Sequence, residues 1–436
     1  MLNVLWIVID AMRADRVGCY GYHRPTTPNI DKLAESAVRF GQMISPHIPT
    51  HPAHTTLFSG LDAFSHQIVA QGGHERPPDG IRYLPQILRE HGYFTAAVDN
   101  IKLWVEPTFE RYVPTERWDH DSSRPWRNGE EVTEKGLRVL EEAASRNQPF
   151  LTFLHYWDPH TPYLPPAPFD RMFYDGDERN PSNRSMDPVW ASPWFKRYFE
   201  EWMSGVTDIE FVKAQYDASI AYSDHCAGII LDRLREMGRW DDTVVILQAD
   251  HGEELDDHGM WFDHHGLYET NVRVPFLLRF PGDTNGGKVV NGLTTLLDVF
   301  PTILDALGIP SPVSDLPGKS LLPVIHGTEN HTAESVYLTE CTWLRKHAWR
   351  TEEWKLIEAL EPDIYNSPLL ELYDVRADPT EQRNIAQEKP KVVARLTAER
   401  DGHIKRRLDS TGLPNPLVEQ SDALRTWQPR FITGKA

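Results

Sequence analysis

The sequence predicts an α/β protein with a mostly parallel central sheet flanked by helices, followed by a small C-terminal α+β subdomain. Two patterns support this prediction. Short apolar runs alternate with amphipathic helical stretches through most of the 436 residues, as in chains built from strand–helix–strand units. After about residue 325, short strands follow one another with fewer helices between them. We therefore expect a large domain over residues 1–325 and a smaller one over residues 326–436.

The large domain is predicted element by element from its apolar runs. The expected strands are residues 2–9, 94–98, 150–157, 243–248 and 274–280. Helical spacing of apolar side chains predicts helices over residues 29–39, 212–237 and 297–307. Residues 164–206 are rich in Pro, Asp, Asn and Trp, which predicts a long irregular excursion near the mouth of a site. Its Trp190, Trp194 and Trp202 are candidates to line an apolar pocket, with ordinary loop packing as the alternative.

The smaller domain is predicted to be an antiparallel sheet covered by one helix. Its expected strands are residues 335–338, 354–358 and 370–373, and its helix is 392–407. The segment after Gly412 shows little periodicity and is a candidate arm for subunit contacts. Formation of a homo-oligomer is therefore possible, and the question stays open at this point.

The amino-acid composition indicates which binding partners and which cellular compartment to expect. The formal net charge of −19 repels nucleic acid and anionic lipid, so we expect neither partner. No apolar run approaches the ~18 residues of a membrane span. Residues 2–9 have no basic segment before them, and we interpret them as a buried strand rather than a signal peptide. The three cysteines are few and scattered, which favours a reducing compartment and a cytoplasmic protein.

Polar side chains follow two of the predicted strands. Asp10 stands directly after the first strand, and Asp250 and His251 follow the strand at 243–248. Open parallel sheets place ligand groups at the carboxyl ends of their strands. Carboxylate and imidazole together suit a hard-to-borderline divalent metal. Each residue alone also fits a turn or a helix cap, and that alternative stays open.

Thr50 is the candidate nucleophile in the segment Pro49-Thr50-His51-Pro52. A helix opened by Pro52 is expected here, because proline is tolerated in the first turn. A hydroxyl at that position faces free backbone N–H groups and the positive end of the helix dipole, which is a natural anion site. The alternative, which local sequence alone favours, is that Thr50 is only an N-cap.

Ordered motifs along nearly the whole chain resemble the sulfatase family of the alkaline phosphatase superfamily. The resemblance rests on residues 10–22 with 27–34, 158–163, 249–253 with 267–275, and 372–384. It implies an alkaline phosphatase-like fold and metal-dependent ester hydrolysis. It places Thr50 in the nucleophile position. It also implies a metal held by Asp10, Asp250, His251 and the Thr50 oxygen, with His160 in the family's substrate-side loop.

The chain departs from the sulfatase signature at the nucleophile. Sulfatases carry Cys or Ser followed by x-Pro-x-Arg, and that Cys or Ser becomes formylglycine; here the aligned residues are Thr50, Pro52 and His54. Oxidation of a threonine side chain would give a ketone, so no formylglycine is expected. Threonine nucleophiles in this superfamily belong to enzymes that act on phosphorus. The resemblance therefore points to phosphoryl rather than sulfuryl transfer.

Other departures concern the metal and the substrate anion. Ala11 replaces a second acidic ligand, which disfavours Ca²⁺ and favours one Zn²⁺ or Mn²⁺ ion. Histidine at 264 and 265 stands near the place of a sulfatase lysine, and Asn100 stands near that of another. His264 or His265 could contact the substrate, protonate a leaving group or bind a second metal. We favour substrate contact.

These observations predict a metal-dependent phosphoric ester hydrolase acting on a small anionic phosphodiester or phosphonate monoester. Thr50 would attack phosphorus and form a covalent intermediate. His54, His160 and His264 or His265 would stabilise transferring oxygens or protonate the leaving group. Asn100, His160 and His264 are the expected substrate contacts. The alternatives are a sulfatase that uses Thr50, a phosphoryl transferase, and a non-catalytic metal-binding relative.

Overall fold

The computed structural model describes residues 1–71, 76–115, 128–342 and 344–420. The strands in chain order are β1 Asn3–Ile9, β2 Val38–Ile44, β3 His47–Ile48, β4 Phe94–Asp99, β5 Arg111–Pro114, β6 Phe150–Tyr156, β7 Thr243–Gln248, β8 Glu254–Leu255, β9 Trp261–Asp263, β10 Arg273–Val274, β11 Phe276–Arg279, β12 Val289–Thr295, β13 Ser335–Glu340, β14 Lys346–Thr351, β15 Trp354–Ala359 and β16 Leu370–Asp374.

The α-helices are α1 Pro28–Ser36, α2 Thr50–Ser59, α3 Ala63–His66, α4 Leu84–Glu90, α5 Asn128–Ser145, α6 Asp187–Ala191, α7 Pro193–Trp202, α8 Ile209–Glu236, α9 Glu269–Val272, α10 Val299–Ala306, α11 Leu322–His326, α12 Pro390–Thr411 and α13 Pro416–Glu419. None of these described helices is both long and apolar enough to cross a membrane.

Parallel strands form the centre of a nine-stranded sheet. Strands β5, β4, β6, β1 and β7 lie side by side in that order and run parallel. Beyond β7, β11 runs antiparallel to β7 and β2, and both β10 and β12 pair with β2. The predicted α/β class is confirmed, with a mixed sheet. Every residue of β1 is buried, as expected of a strand covered on both faces.

The register of the central strands sets the position of the site. Val8 of β1 pairs with His155 of β6 and with Gln248 of β7. The three strands therefore end at the same edge of the sheet. Asp10 and Asp250 follow directly at that edge, where an open parallel sheet places its ligand groups.

Several predicted elements differ from the structure. The helix expected over 29–39 ends at Ser36, because Val38 and Phe40 alternate inward as the start of β2. The strand expected over 274–280 is divided into β10 and β11 at Pro275, which cannot donate a ladder hydrogen bond. The excursion over 164–206, expected to be irregular, contains α6 and α7.

A second sheet joins the two halves of the chain. Its order is β16-β15-β14-β13-β3, so the antiparallel sheet expected in the C-terminal region is present. The last strand, β3, comes from the N-terminal half and pairs in parallel with β13 at Thr339 and Glu340. Because β3 leads into α2, this sheet supports the segment that carries Thr50. The domain boundary at residue 325 stays a prediction, and residues 421–436 of the expected subunit arm lie outside the described part.

Helix α12 is tied to α3 by an ion pair between Arg407 and Asp62. Arg407 Nε lies 2.7 Å from Asp62 Oδ2, and both side chains are largely buried. Burial raises the pKa of Asp62, but the hydrogen bond and charge of Arg407 outweigh it and lower the pKa. Asp62 also caps α3 by accepting a hydrogen bond from the backbone N–H of Ser65. The pair therefore anchors α12 beside α3.

We predict that Arg407→Leu lowers the free energy of unfolding by about 3 kcal/mol, because it leaves Asp62 buried without its partner. Arg395→Leu is the matched control on the same helix, since Arg395 pairs with Glu399 at the surface and should cost less than about 0.5 kcal/mol. Urea unfolding at neutral pH measures both values. The difference between wild type and Arg407→Leu should shrink as falling pH protonates Asp62. Equal effects of the two substitutions would contradict this account.

Candidate active site

Acidic and imidazole side chains converge at the carboxyl edge of the parallel strands. Asp99 is the last residue of β4, His155 lies one residue before the end of β6, and Asp10, Asp250 and His251 follow β1 and β7. All five side chains are buried. Charged groups removed from water are stable only when they are paired or bound to a metal. The contacts among them therefore decide what the site can bind.

Thr50 is the first residue of α2, and its hydroxyl does not cap the helix. The N-cap is Pro49, and no side chain caps this end. Instead, Thr50 Oγ1 lies 3.1 Å from His251 Nε2. The N-cap interpretation of Thr50 is therefore wrong, because tertiary folding turns the hydroxyl toward the residues at the end of β7.

The four residues predicted as metal ligands come together. His251 Nε2 lies 3.4 Å from Asp10 Oδ1 and 3.7 Å from Asp250 Oδ2. Ligands bound at about 2.0–2.1 Å in a tetrahedron lie about 3.3–3.4 Å apart, close to these separations. His251 Nδ1 lies 2.8 Å from the carbonyl oxygen of Gly252. A proton on Nδ1 satisfies that contact and leaves the lone pair of Nε2 free for a metal.

Unsatisfied carboxylate oxygens support a metal at this place. Asp250 Oδ1 accepts hydrogen bonds from the backbone N–H groups of Ala11 and His251, whereas Asp250 Oδ2 accepts none from the described residues. Neither oxygen of Asp10 has a hydrogen-bond partner in the described part of the chain. Asp10, Asp250 and His251 form a group that can hold a metal ion. The donor set, with the Thr50 oxygen, suits a divalent cation such as Zn²⁺ or Mn²⁺.

Two further histidines approach the same carboxylates from another side. His54 Nε2 lies 3.5 Å from Asp250 Oδ2, and His155 Nε2 lies 3.3 Å from Asp10 Oδ2. His155 Nδ1 lies 2.8 Å from Asp99 Oδ1. Burial lowers the pKa of His155, but the carboxylates of Asp10 and Asp99 outweigh it and raise the pKa to about 10. In the metal-free protein, the His155 ring is therefore a cation at neutral pH.

A second imidazole group faces His251. The ring of His264 lies 4.8 Å from that of His251 and 4.9 Å from that of His160, measured between centroids. His264 Nδ1 lies 3.0 Å from Asp263 Oδ1. His265 Nε2 lies 3.4 Å from the other oxygen of Asp263, Oδ2, and its Nδ1 lies 2.5 Å from the hydroxyl of Tyr365. His160 and His264 are thus placed beside His251, whereas His265 contacts Asp263 and Tyr365.

The histidines of this group differ in protonation. Burial lowers the pKa of His160 to about 4 and that of His265 to about 4. Burial also lowers the pKa of His264, but the Asp263 carboxylate outweighs it and raises the pKa to about 9. At neutral pH, His264 is therefore the protonated ring of the three. It can donate a proton or attract an anion.

Asn100 follows β4 at the same edge of the sheet. Its side chain is buried, and its Oδ1 has no hydrogen-bond partner among the described residues. Within the described part of the chain, its Oδ1 makes no hydrogen bond to the metal-ligand group. Its assignment to substrate binding, like the roles of the other named residues, stays a prediction.

Sequence reasoning missed four residues that complete the site: Asp99, His155, Glu253 and Asp263. Asp99 and His155 could have been found from the same signal that identified Asp10, since each lies at the carboxyl end of a predicted parallel strand. Glu253, Asp263 and His264 form another group able to hold a metal. Neither carboxylate oxygen of Glu253 has a hydrogen-bond partner among the residues described.

This fold and this cluster define a hydrolase of the alkaline phosphatase superfamily. The family model Sulfatase matches residues 2–309, and the chain belongs to the sulfatase family. The model "N-sulphoglucosamine sulphohydrolase, C-terminal" matches residues 256–406. Enzymes of this superfamily use a divalent metal, in agreement with the ligand group at the sheet edge.

Relatives with different substrates resemble this chain to similar degrees. It is 24% identical over 468 residues to an N-acetylglucosamine-6-O-sulfatase of Bacteroides thetaiotaomicron, covering 88% of this chain and 82% of the relative. It is 27% identical over 404 residues to the multifunctional alkaline phosphatase superfamily protein PehA of Trinickia caryophylli, covering 74% of this chain and 77% of that relative. The structure of a phosphonate monoester hydrolase from Silicibacter pomeroyi superposes with a TM-score of 0.76 at 21% identity, covering 94% and 96%. That superposition shows the shared fold.

Glu253 generates a prediction about the metal-stripped protein. Burial raises its pKa well above the usual range. The folded state therefore binds a proton that the unfolded state releases, and stability falls as the pH rises above the ordinary glutamate pKa. Because glutamine has no proton to lose, metal-stripped Glu253→Gln should be more stable than wild type at neutral pH, and the gap should widen as the pH rises. Thermal unfolding between pH 5 and pH 9 measures the gap.

The exposed Glu329→Gln is the control and should show no such pH-dependent gap. A Glu253→Gln protein that is less stable than wild type throughout this range would contradict the prediction. It would mean that the Glu253 anion is stabilised by a cation.

Proposed function

We propose that this enzyme hydrolyses small phosphodiesters or phosphonate monoesters through a covalent intermediate on Thr50. The observation that carries the proposal is the 3.1 Å contact between Thr50 Oγ1 and His251 Nε2, within a group suited to a divalent metal. This contact supports Thr50 as the nucleophile, in a chain that has neither Cys nor Ser, the precursors of formylglycine, at this position. The charge of −19 supports a small-molecule substrate rather than nucleic acid or an anionic membrane, and the scattered cysteines support a reducing compartment.

The metal would be held by Asp10, Asp250, His251 and the Thr50 oxygen. A divalent ion there lowers the pKa of a bound hydroxyl and neutralises charge on a phosphoryl oxygen. Thr50 would lose its proton to bulk water, and its oxygen would attack phosphorus, which forms an oxygen–phosphorus bond and breaks the bond to the leaving alkoxide or phenolate. His264, protonated at neutral pH, donates a proton to that leaving oxygen. Water then attacks phosphorus, gives a proton to the now neutral His264, and frees Thr50.

The cations that sulfatases place around the substrate anion are largely replaced here. His54 stands in the position of the signature arginine, and Asn100 and His264 stand near the positions of two lysines. A site with less fixed positive charge favours a singly charged anion over a doubly charged phosphate monoester. This supports a phosphodiester or phosphonate monoester as the substrate class.

A cavity with an aromatic wall supports a leaving group with an apolar part. Its volume is about 480 Å³, and its wall includes Phe195, Trp261 and Tyr365. The hydroxyl of Tyr365 in this wall lies 2.5 Å from His265 Nδ1. Of the tryptophans considered for such a pocket, Trp190 donates its indole N–H to the carbonyl oxygen of Val206, and the side chain of Trp194 lies outside the described part.

Sulfate ester hydrolysis is the second candidate function. It is favoured by the relative from Bacteroides thetaiotaomicron, which is named as a sulfatase and which this chain covers over 82% of its length. A sulfatase of this kind would use Thr50 directly, because the chain has neither Cys nor Ser at this position. Mass spectrometry of the peptide that contains Thr50 should show unmodified threonine, and turnover of sulfate against phosphorus esters distinguishes the two candidates.

We predict that Thr50→Ala lowers kcat for a chromogenic phosphodiester or phosphonate monoester by at least about 10³-fold, because it removes the nucleophile. The assay compares a diester, a phosphonate monoester, a phosphate monoester and a sulfate that share one leaving group, after metal removal and reloading with Zn²⁺ or Mn²⁺. Thr55→Ala is the matched control, since the Thr55 hydroxyl bonds the carbonyl oxygen of His51 within the same helix. Full turnover by Thr50→Ala would exclude the mechanism, and dominant sulfate turnover would exclude the substrate class.

His264 generates a pH prediction. The general acid must be protonated, so kcat should fall as the pH rises through about 9, the pKa of His264. His264→Gln should lower kcat by about 10²-fold or more and abolish this fall of kcat at high pH. The loss should be smaller for a nitrophenolate leaving group, which needs no proton, than for an alkoxide. An equal loss for both leaving groups would show that His264 is not the acid.

A further inference from the structure

A second pair of imidazole nitrogens, besides His251 Nε2, approaches Asp10 and Asp250. His54 Nε2 is 3.5 Å from Asp250 Oδ2, and His155 Nε2 is 3.3 Å from Asp10 Oδ2. The rings of His54 and His155 lie 4.7 Å apart between centroids. His54, His155 and Asp250 form a group whose ligand atoms can hold one ion. This group shares Asp250, but neither of its histidines, with the metal position next to Thr50.

The polar atoms of this group are buried and unsatisfied. His54 Nε2, His155 Nε2 and Asp250 Oδ2 have no hydrogen-bond partner among the residues described, and the side chains of these residues are at most 1% exposed. A sheltered group of this kind is costly unless an ion or proton fills the space between its atoms. The separations of 3.3–3.5 Å are close to the edge of a zinc tetrahedron, about 3.3–3.4 Å.

The surroundings of His155 hold its ring in the orientation that a ligand needs. Its Nδ1 lies 2.8 Å from Asp99 Oδ1, and Asp99 Oδ2 accepts a hydrogen bond of 2.5 Å from the hydroxyl of Tyr112. A carboxylate that accepts a hydrogen bond from one ring nitrogen directs the other nitrogen at a metal, as in carboxylate–histidine–zinc arrangements. Asp99 and Tyr112 therefore form the outer support of a metal ligand.

We propose that the protein binds a second divalent ion, best suited to Zn²⁺, through His54, His155 and Asp250, with the Asp10 carboxylate bridging to the first ion. Two imidazoles and a carboxylate are a typical zinc donor set. Asp10 can bridge because its two oxygens point to different histidines, Oδ1 to His251 and Oδ2 to His155. The site is distinct from the group of Glu253, Asp263 and His264.

This second ion would lie on the inner side of the site and would not meet the substrate. The ring of His54 packs against the rings of Phe58 and Phe153, with centroids 6.2 Å and 6.0 Å away. The role of the second ion would be electrostatic: it would supply positive charge to the buried carboxylates of Asp10 and Asp250 and hold both in place. His54 stands where the sulfatase signature has arginine, so a bound cation would replace a cationic side chain. The inference holds whether the substrate is a phosphate or a sulfate ester.

The test is zinc stoichiometry of the full-length protein. Metal-stripped wild type and the double variant His54→Gln/His155→Gln are dialysed against the same low free Zn²⁺ concentration, and bound zinc per chain is measured by elemental mass spectrometry. The double variant should bind one equivalent less than wild type. His47→Asn is the matched control, because His47 is also a buried histidine but contacts Thr339 in the second sheet. It should bind as much zinc as wild type.

Equal zinc content in wild type and the double variant would overturn the proposal and would leave protonated histidines as the counter-charge of Asp10 and Asp250. If the double variant does not fold, anomalous diffraction at the zinc edge from wild-type crystals answers the same question. A peak between His54 and His155 supports the site, and its absence from zinc-loaded crystals overturns it. Because these readouts do not use turnover, their failure is separate from failure of the proposed reaction.

Discussion

The burial of two carboxylates at the end of the central strands is the constraint on which the rest of the site depends. Asp10 and Asp250 are inaccessible to solvent, and three of their four oxygens accept no hydrogen bond in the described part of the chain. The sheet register and the supporting β3–β13 pairing bring His251 and Thr50 to these oxygens. Buried carboxylates of this kind are stable only when cations neutralise them. The position of Asp10 and Asp250 at the sheet edge therefore already implies that the site binds a metal.

In the proposed mechanism, activation of the nucleophile depends on the metal site beside it. In a formylglycine sulfatase the nucleophile is made by modification, whereas the proposed mechanism needs an ordinary hydroxyl that its surroundings activate. Thr50 suits this proposal because α2 begins at Thr50 and places its hydroxyl against His251 rather than in a cap. His264 lies beside His251 and is held protonated by Asp263. Under the proposed mechanism, different residues would serve the attack and the departure of the leaving group.

The sequence alone predicts the fold class and the ligands that lie directly after strands. β1 and β7 are continuous apolar runs, so their ends and the positions of Asp10, Asp250 and His251 can be read from pattern alone. His155 was missed because it stands inside the predicted strand over 150–157, whereas Asp99 directly follows the predicted strand over 94–98 and offered the same signal as Asp10. Only the first two residues of β2, Val38 and Arg39, were mistaken for helix, because Val38 also fits helical spacing. The pairing of β3 with β13 joins residues about 290 positions apart, a distance over which local pattern carries no information.

The central claim is that Thr50 forms a covalent bond to phosphorus, and the stereochemical course of hydrolysis tests it most directly. A phosphodiester made chiral at phosphorus would be hydrolysed in isotopically labelled water, and the configuration of the product determined. Two successive in-line displacements, first by Thr50 and then by water, predict retention of configuration. Inversion would show a single direct attack by water and would contradict the account, whatever the metal content of the enzyme.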